Sequence, residues 1–300
     1  MNDARTGKPM KFTFIQTADA YRYAQMLSYS AQTVTEYARL KGYRYESFLG
    51  LKRGEYPWQA TFNRVFMLTE LIDREIGGWV CYMDADAWVH DLDYDLEVLF
   101  AGLGDAAAVF TPSGASDHWW DVNAGVFFVN LDHPDGVRLC QAWKKACLEK
   151  WGFIADKVDF PAGGPDDQSI LHELLAAEVV PRSSIGLTTR AEVNSQHAAF
   201  IRQHLRGDQR SFEHRVAFIR ETVHEVLTRT KPEAAARDET VWAVTQGLYR
   251  GLLGRDADPD GARAYYELII SRGVRDGVAA AADSISNSPE FRARRLAVEA

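Results

Sequence analysis

The stretch WVCYMDAD, residues 79–86, places a short apolar run directly before two aspartates. The residues before Asp84 are apolar or aromatic, which predicts a buried β-strand that ends at this aspartate. Asp84 and Asp86 are two residues apart, so their carboxylates point to the same side of an extended segment. Paired carboxylates at the end of a buried strand indicate a site, and the surrounding sequence indicates the fold.

Strands and helices alternate on the amino-terminal side of this segment. Residues 11–17 and 43–48 are predicted as strands, and residues 21–41 and 59–76 have apolar residues at helical spacing. The order strand, helix, strand, helix, strand predicts an α/β fold with a mostly parallel sheet flanked by helices. In such sheets ligands bind beyond the carboxyl ends of the strands, where the two aspartates lie.

The rest of the chain divides into three predicted segments. Further strands are predicted at residues 106–111 and 122–131, so the α/β domain is expected to cover residues 8–225. Residues 226–239 contain a proline, small residues and charges without an apolar stripe, which predicts a linker. Residues 240–300 have helical patterns only, which predicts a small all-α domain.

Composition excludes several classes of protein. Lys and Arg number 34 and Asp and Glu 42, a formal net charge of −8, whereas a general nucleic-acid binder needs a basic surface. Three cysteines without a C-x-x-C pair indicate neither a disulfide framework nor a zinc clip, and favour a reducing compartment. We find no signal-peptide core and no apolar run of the roughly 20 residues that span a bilayer. We therefore expect a cytoplasmic protein, with a place at the periphery of a membrane left open.

Three segments in chain order resemble the GT-A fold of nucleotide-sugar glycosyltransferases: YMDADAWVHDLD (residues 82–93), VNAGVFFVN (122–130) and DDQSIL (166–171). They are most similar to glycosyltransferase family 34, the galactosyl, mannosyl and xylosyl transferases. The opening FIQTADAYRYAQ (14–25) also resembles that family's start. The resemblance covers about residues 10–220. It implies a Rossmann-like GT-A domain that transfers a hexose or pentose from a UDP- or GDP-linked sugar to an acceptor hydroxyl, with retention of configuration. The acceptor would be a glycan, a lipid-linked sugar or a protein.

The resemblance also implies roles for individual residues. Asp84 and Asp86 would hold Mn²⁺ or Mg²⁺, which prefer oxygen ligands, together with the diphosphate of the donor. Asp167 and Gln168 match the family's D-Q pair near the anomeric carbon and the acceptor. The remaining expected contacts to nucleotide or sugar are Gln16, Thr17, Tyr21, Arg64, Asn123 and Gly125.

Structural roles are open alternatives for several of these residues. Gln16, Thr17 and Tyr21 could close a turn between strand and helix, Arg64 could be a surface arginine, and Asp167 could be a helix cap. The pair Trp119 and Trp120 could cover an acceptor sugar or pack in the core or a lid.

A third metal ligand is expected from residues 194–206, because enzymes of this fold often supply a late histidine. We prefer His197, which follows a turn-like Asn-Ser pair, over its rival His204 seven residues on. Arg202 and Arg206 in the same segment could contact phosphate or be solvated.

The carboxyl-terminal segment resembles the domain of unknown function 4214, through LYRGLLGRDADPDGARAYY (residues 248–266) and SNSPEF (286–291). That family implies no activity, so a role in protein interaction or targeting is expected. Asp256, Asp258, Asp260, Gly261 and Glu267 fit a calcium-loop spacing. The favoured alternative is a helix that starts at Pro259 with Asp258 as its cap.

Two other functions fit the same residues. A sugar- or nucleotide-binding scaffold would keep the fold and lack catalysis. A nucleotidyltransferase also uses paired aspartates, but FIQTADAYRY lacks the glycine- and arginine-rich loop expected after its first strand.

Overall fold

The computed structural model describes residues 10–100, 102–160, 164–204, 211–230, 232–272 and 274–299. The chain divides into two compact units, with the division after Leu227. Each unit has its own hydrophobic clusters. The prediction that the α/β domain ends at residue 225 stays a prediction.

The first unit alternates strands and helices, as the sequence predicts. Its elements in chain order are β1 (Phe12–Ala18), α1 (Ala24–Lys41), β2 (Arg44–Leu49), α2 (Asn63–Asp73), β3 (Trp79–Asp84), β4 (Ala87–Val89), α3 (Leu96–Phe100), β5 (Ala108–Pro112), β6 (Val122–Asn130), α4 (Pro134–Glu149), α5 (Trp151–Ile154), α6 (Asp167–Ala176), β7 (Ile185–Leu187), β8 (Val193–Ser195), β9 (Ile201–Gln203) and α7 (Phe212–Thr230). Short 3₁₀ helices span Pro57–Phe62 and Arg182–Ser184.

The main sheet has six strands in the order β2-β1-β3-β6-β5-β7. β1 runs parallel to β2 and β3, and β5 runs parallel to β7. β6 is the exception, because it runs antiparallel to both of its neighbours. The predicted mostly parallel α/β sheet is thus confirmed. Since β6 is reversed, its amino-terminal end lies at the same edge as the carboxyl ends of β1 and β3.

The two faces of this sheet are packed by separate hydrophobic clusters. Phe127 on β6 joins the cluster that contains Trp143 of α4, whereas the next residue, Phe128, joins the cluster that contains Tyr37 of α1. Consecutive residues of a strand point to opposite faces, so an apolar run is buried on both sides. This explains why β3 and β6 read as continuous apolar segments.

A second, three-stranded sheet in the order β4-β9-β8 continues from the main one. β4 follows Asp86 directly and pairs antiparallel with β9, with Ala87 opposite Gln203. The sequence pattern does not predict this sheet. It brings Gln203 beside the two aspartates.

The second unit is helical over the residues described, as predicted. It contains α8 (Pro232–Leu253), α9 (Pro259–Arg272), α10 (Val274–Ser286) and α11 (Pro289–Glu299). Val241, Ile269 and Ala281 form one of its buried clusters. The segment 226–239, expected as a linker, belongs to α7 and α8 apart from residue 231, which lies outside the described residues.

No helix within the described ranges is long and apolar enough to cross a lipid bilayer. Cys81, Cys140 and Cys147 are all buried and unpaired. They form no disulfide with one another.

Candidate active site

A cavity of about 380 Å³ opens at the sheet edge where β1 and β3 end and β6 begins. The predicted site residues that line it are Thr17, Arg64, Asp84, Asp86, Asn123, Gly125, Asp167 and Gln168. Residues that the sequence analysis did not single out also line it, among them Tyr23, Trp58, Thr61, Tyr82, Phe160 and Gln203. Residues from six separate stretches of the chain thus converge at one place.

Asp84 is the last residue of β3, and its side chain is 29% exposed at the cavity. Its Oδ1 accepts hydrogen bonds from Arg64 Nη2 at 2.8 Å and from the Tyr82 hydroxyl at 2.9 Å. Its Oδ2 accepts a longer bond from Gln203 Nε2 at 3.2 Å. One oxygen is therefore held firmly, and the other has the weaker contact.

Asp86 is more deeply buried, with 6% exposure. Its Oδ1 accepts a hydrogen bond from Gln203 Nε2 at 2.9 Å, and its Oδ2 forms a short ion pair with Arg215 of α7. Arg215 Nη2 also donates to the carbonyl of His204 at 2.9 Å. A buried carboxylate needs such a partner, because burial of an unpaired charge is costly.

Arg64 of α2 is buried between two carboxylates. Its Nε lies 3.0 Å from Asp167 Oδ2, its Nη2 bonds Asp84, and its Nη1 donates to the carbonyl of Ala124. The guanidinium also lies 4.5 Å above the ring of Tyr82. Burial opposes its charge, but attraction to Asp167 and then to Asp84 raises the pKa of Arg64 above its ordinary value. Arg64 thus connects Asp84 of β3 with Asp167 of α6. The alternative that Arg64 is a surface arginine is wrong.

Asp167 is the first residue of α6 and is 4% exposed. The cap of this helix is Asp166, whose Oδ1 accepts from the Ser169 amide at 2.7 Å. Burial raises the pKa of Asp167 from 3.8 to about 6, and attraction to Arg64 limits the rise. Asp167 is therefore a buried carboxylate whose pKa is raised by its surroundings.

Gln168, Asn123 and Gly125 form the wall between α6 and β6. Gln168 Oε1 accepts from the Ala124 amide at 2.9 Å, and Asn123 Oδ1 accepts from the Gly125 amide at 2.7 Å. A Cβ on Gly125 would lie 2.5 Å from both terminal atoms of Gln203. Only glycine leaves Gln203 room to reach the aspartates.

The first three of the expected contacts to nucleotide or sugar, Gln16, Thr17 and Tyr21, have different positions. Gln16 is fully buried, and its Nε2 donates to the carbonyls of Ala87 and Asp84 at 3.0 and 3.2 Å. Its side chain therefore stabilises the backbone around the two aspartates. Thr17 lines the cavity and accepts from Asn63 Nδ2 at 2.8 Å. Tyr21 is 80% exposed and lies outside the described cavity lining.

The two candidate histidines do not complete a metal site. His197 is exposed, whereas the His204 amide donates to the Asp86 carbonyl at 3.0 Å and its buried ring packs against Phe218. Neither is among the described residues of the cavity lining. Across the part of the chain that the structure describes, no three His, Cys, Asp or Glu side chains form a group suited to a metal ion.

Arg202 and the tryptophan pair are not among the described residues of the cavity lining either. Arg202 Nε donates to the carbonyl of Ala198 at 2.9 Å, and Arg206 lies outside the described residues. Trp119 stacks beneath Arg182 at 4.7 Å, and Trp120 stacks on a neighbouring histidine. The structure thus places these two tryptophans apart from the aspartates.

The acidic loop before α9 has the geometry of a helix cap. Asp258 Oδ1 accepts from the Gly261 amide at 2.9 Å, and α9 begins at Pro259. Asp256 and Glu267 pair with nearby arginines at 2.5 and 3.1 Å. This is the arrangement that the capped-helix alternative predicts.

No protein-family model matches the sequence, and no curated protein matches it. In structure the chain is similar to a glycosyltransferase involved in the glycosylation of the major capsid of PBCV-1, with a TM-score of 0.51 and 14% identity over 70% of this chain and 98% of that chain. A197 from STIV is a weaker match, with a TM-score of 0.28 and 10% identity over 41% and 68% of the two chains. The first similarity shows a glycosyltransferase-type fold. Glycosyltransferase family 34 and the domain of unknown function 4214 stay resemblances.

Proposed function

We propose that the protein is a nucleotide-sugar-dependent glycosyltransferase. The observation that carries this proposal is the convergence of Asp84, Asp86, Asp167 and Gln168 in one cavity at the end of the central strands. The similarity of the fold to a glycosyltransferase supports it. The ends of the strands are also where open α/β sheets bind their ligands.

A divalent cation fits this site in part. Asp84 and Asp86 supply carboxylate oxygens, the ligand type that Mg²⁺ and Mn²⁺ prefer. Asp84 Oδ2 has the long contact to Gln203 and is the better placed ligand, whereas Asp86 would share its carboxylate with Arg215. Such a cation, when bound, neutralises charge on the departing diphosphate. The expected third ligand has no candidate here, since neither His197 nor His204 is among the described residues of the cavity lining.

Transfer breaks the bond between the anomeric carbon and the diphosphate oxygen and forms a bond to the acceptor oxygen. In the retaining reaction that we propose, the proton of the acceptor hydroxyl goes to the departing diphosphate. Asp167 would stabilise the positive charge that develops on the sugar. Its side chain is 6% exposed and paired with Arg64, which favours this electrostatic role over covalent attack. Gln168 would position the acceptor.

A second candidate function is a sugar-nucleotide-binding scaffold without catalysis. It is favoured by one observation: each of the two aspartates already has an arginine partner, Arg64 or Arg215. A protein that has lost metal-dependent transfer would keep such internal ion pairs. Nothing in the cavity favours nucleotidyl transfer specifically.

Donor turnover tests the proposal and separates the two functions. UDP- and GDP-linked hexoses and pentoses are screened with Mn²⁺ by thermal shift, and release of UDP or GDP is then measured with the best donor. We expect wild-type turnover and a loss of at least about a hundredfold in Asp84→Asn. The control is Asp93→Asn, the same change on an exposed aspartate outside the described cavity lining, and it should keep wild-type turnover. Binding without turnover would support the scaffold, and unchanged turnover in Asp84→Asn would contradict the role of Asp84.

A further inference from the structure

An aromatic edge formed by Trp58 and Phe160 borders the cavity. Trp58 and Phe160 meet there edge to face, with ring centroids 5.6 Å apart and an angle of 76° between the rings. Both residues line the cavity that holds the aspartates, and both also line a second cavity of about 670 Å³. Asp19, Tyr23 and Pro57 line both as well. The two cavities therefore adjoin along this edge.

The aromatic edge is fixed on one side and exposed on the other. Trp58 Nε1 donates to the carbonyl of Lys157 at 2.6 Å, and its ring packs against Phe62 with centroids 6.0 Å apart. Phe160 is 42% exposed. Aromatic side chains have apolar faces that lose little conformational freedom on binding. An exposed, held aromatic pair at a cavity mouth is suited to the apolar C–H face of a pyranose ring.

The charges around the second cavity are largely balanced. Arg215 is paired with Asp86, and the carboxylate of Asp19 accepts hydrogen bonds from the backbone amides of residues 21, 22 and 23. The other charged residues of the lining are Arg22 and Asp159, one of each sign. A phosphorylated ligand would need an excess of positive charge. Balanced donors and acceptors instead suit the hydroxyl groups of a neutral glycan.

We propose that Trp58 and Phe160 bind a pyranose ring of a neutral glycan acceptor, and that the acceptor chain extends into the second cavity. The proposal rests on the proposed function, in which the donor occupies the cavity with the aspartates. Transfer joins donor and acceptor at one point, so the acceptor must lie directly beside the donor. A volume of about 670 Å³ is within the range of natural ligand pockets.

Binding of simple glycosides tests the proposal without requiring turnover. The full chain is saturated with UDP and Mn²⁺. Methyl glycosides and disaccharides of glucose, galactose, mannose and xylose are then screened by saturation-transfer NMR. We expect at least one glycoside to bind and its affinity to fall about tenfold in Phe160→Ala and in Trp58→Leu. The control is Phe153→Ala, which removes a phenylalanine that is 74% exposed and outside the described lining of both cavities.

The affinity for UDP separates this proposal from the proposed function. We expect Phe160→Ala to weaken glycoside binding at least about fivefold more than UDP binding, since the proposed donor contacts are at the aspartates. If Phe160→Ala lost UDP affinity and kept glycoside binding, the aromatic edge would bind the nucleotide base, which would overturn the proposed acceptor site. A wild-type protein that binds UDP and none of the neutral glycosides would also overturn it. GDP replaces UDP if the wild type does not bind UDP. Failure to bind either nucleotide counts against the proposed function, and the glycoside screen is then run without nucleotide.

Discussion

The two aspartates at the end of β3 differ in their surroundings, although the sequence presents them as a pair. Asp84 is partly exposed and has one oxygen with a single long contact, whereas Asp86 is buried between Gln203 and Arg215. Arg64 then joins Asp84 to Asp167 through one guanidinium. Three aspartates, Asp84, Asp86 and Asp167, thus share two arginines, so the site keeps an excess of negative charge before any ligand binds.

The raised pKa of Asp167 predicts a pH dependence with opposite signs for activity and stability. If the ionised carboxylate stabilises the transition state, turnover falls as the pH drops through about 6. The folded state binds this proton at a higher pH than the unfolded chain does. Between about 6 and 3.8, the contribution of Asp167 to the free energy of unfolding therefore rises as the pH falls.

Asp167→Asn isolates both effects. We expect the variant to abolish turnover. Because Asn cannot take up the proton, we also expect the unfolding free energy of wild type to rise relative to that of the variant as the pH falls through this window. Urea denaturation at about pH 7 and pH 5 measures the second effect. A wild-type rate that stays constant down to pH 4 would contradict the role of the ionised carboxylate.

Arg215 occupies the carboxylate that a cation would share, so its removal should strengthen cation binding. We expect Arg215→Met to bind Mn²⁺ about tenfold more tightly than wild type, as measured by the EPR signal of free Mn²⁺. The variant should be less stable without metal, because Asp86 loses its partner, and Mn²⁺ should restore part of that loss. Arg220→Met, on an exposed arginine of the same helix, is the control. Equal Mn²⁺ affinities in Arg215→Met and wild type would show that Arg215 does not compete with the cation.

At the scale of elements, the site depends on β9 pairing with β4. This short strand places Gln203 opposite Ala87, from where its amide reaches both aspartates. Three-residue strands give too little periodicity to predict, and Gln203 lies more than a hundred residues from Asp84 in sequence. The same separation hides Arg215. The apolar runs of β3 and β6, by contrast, were predictable because both of their faces are buried.

Element boundaries show the limits of periodicity in another way. The helix predicted at 59–76 is a 3₁₀ turn over Pro57–Phe62 followed by α2, and α1 starts at Ala24 because Asp19 bonds the amides before it. Apolar spacing alone does not reveal these local hydrogen bonds. The 3₁₀ turn also presents Trp58 to the cavity. Because this turn was not predicted, the tryptophans expected at a sugar were Trp119 and Trp120 instead.

The close approach of β6 to β9 predicts a specific effect of adding one methyl group. In Gly125→Ala the new Cβ displaces the Gln203 side chain, which then loses its bonds to Asp84 and Asp86. We expect a loss of stability of about 1–3 kcal/mol in urea denaturation, together with a clear loss of turnover. Gly152→Ala is the control, since no atom lies within 4 Å of its new Cβ. Wild-type stability and turnover in Gly125→Ala would contradict the packing described here.

At the scale of the whole molecule, the α/β fold and the all-α carboxyl-terminal segment followed from alternating and helical patterns. The linker did not, because short Ala- and Glu-rich sequences are good helix formers even without an apolar stripe. Positions 226–230 and 232–239 are accordingly helical. The aspartates, the D-Q pair and Arg64 were found through the resemblance, whereas Gln203 and Arg215 depend on contacts that no motif encodes.

The second unit should not respond to calcium. Asp258 caps α9, and Asp256 and Glu267 already pair with arginines, so the acidic loop lacks the geometry of a calcium site. We expect calorimetric titration of the full chain to show no calcium binding that depends on Asp260. Heat that disappears in Asp260→Asn would contradict the capped-helix arrangement.

The central claim is that Asp84 and Asp86 bind a cation that contacts the diphosphate of a sugar nucleotide. The most direct measurement is the anomalous signal of Mn²⁺ in crystals soaked with Mn²⁺ and UDP. We predict a manganese peak within coordination distance of Asp84, with both phosphates of UDP beside it. Clear density for UDP and Mn²⁺ at another place on the molecule would contradict the claim.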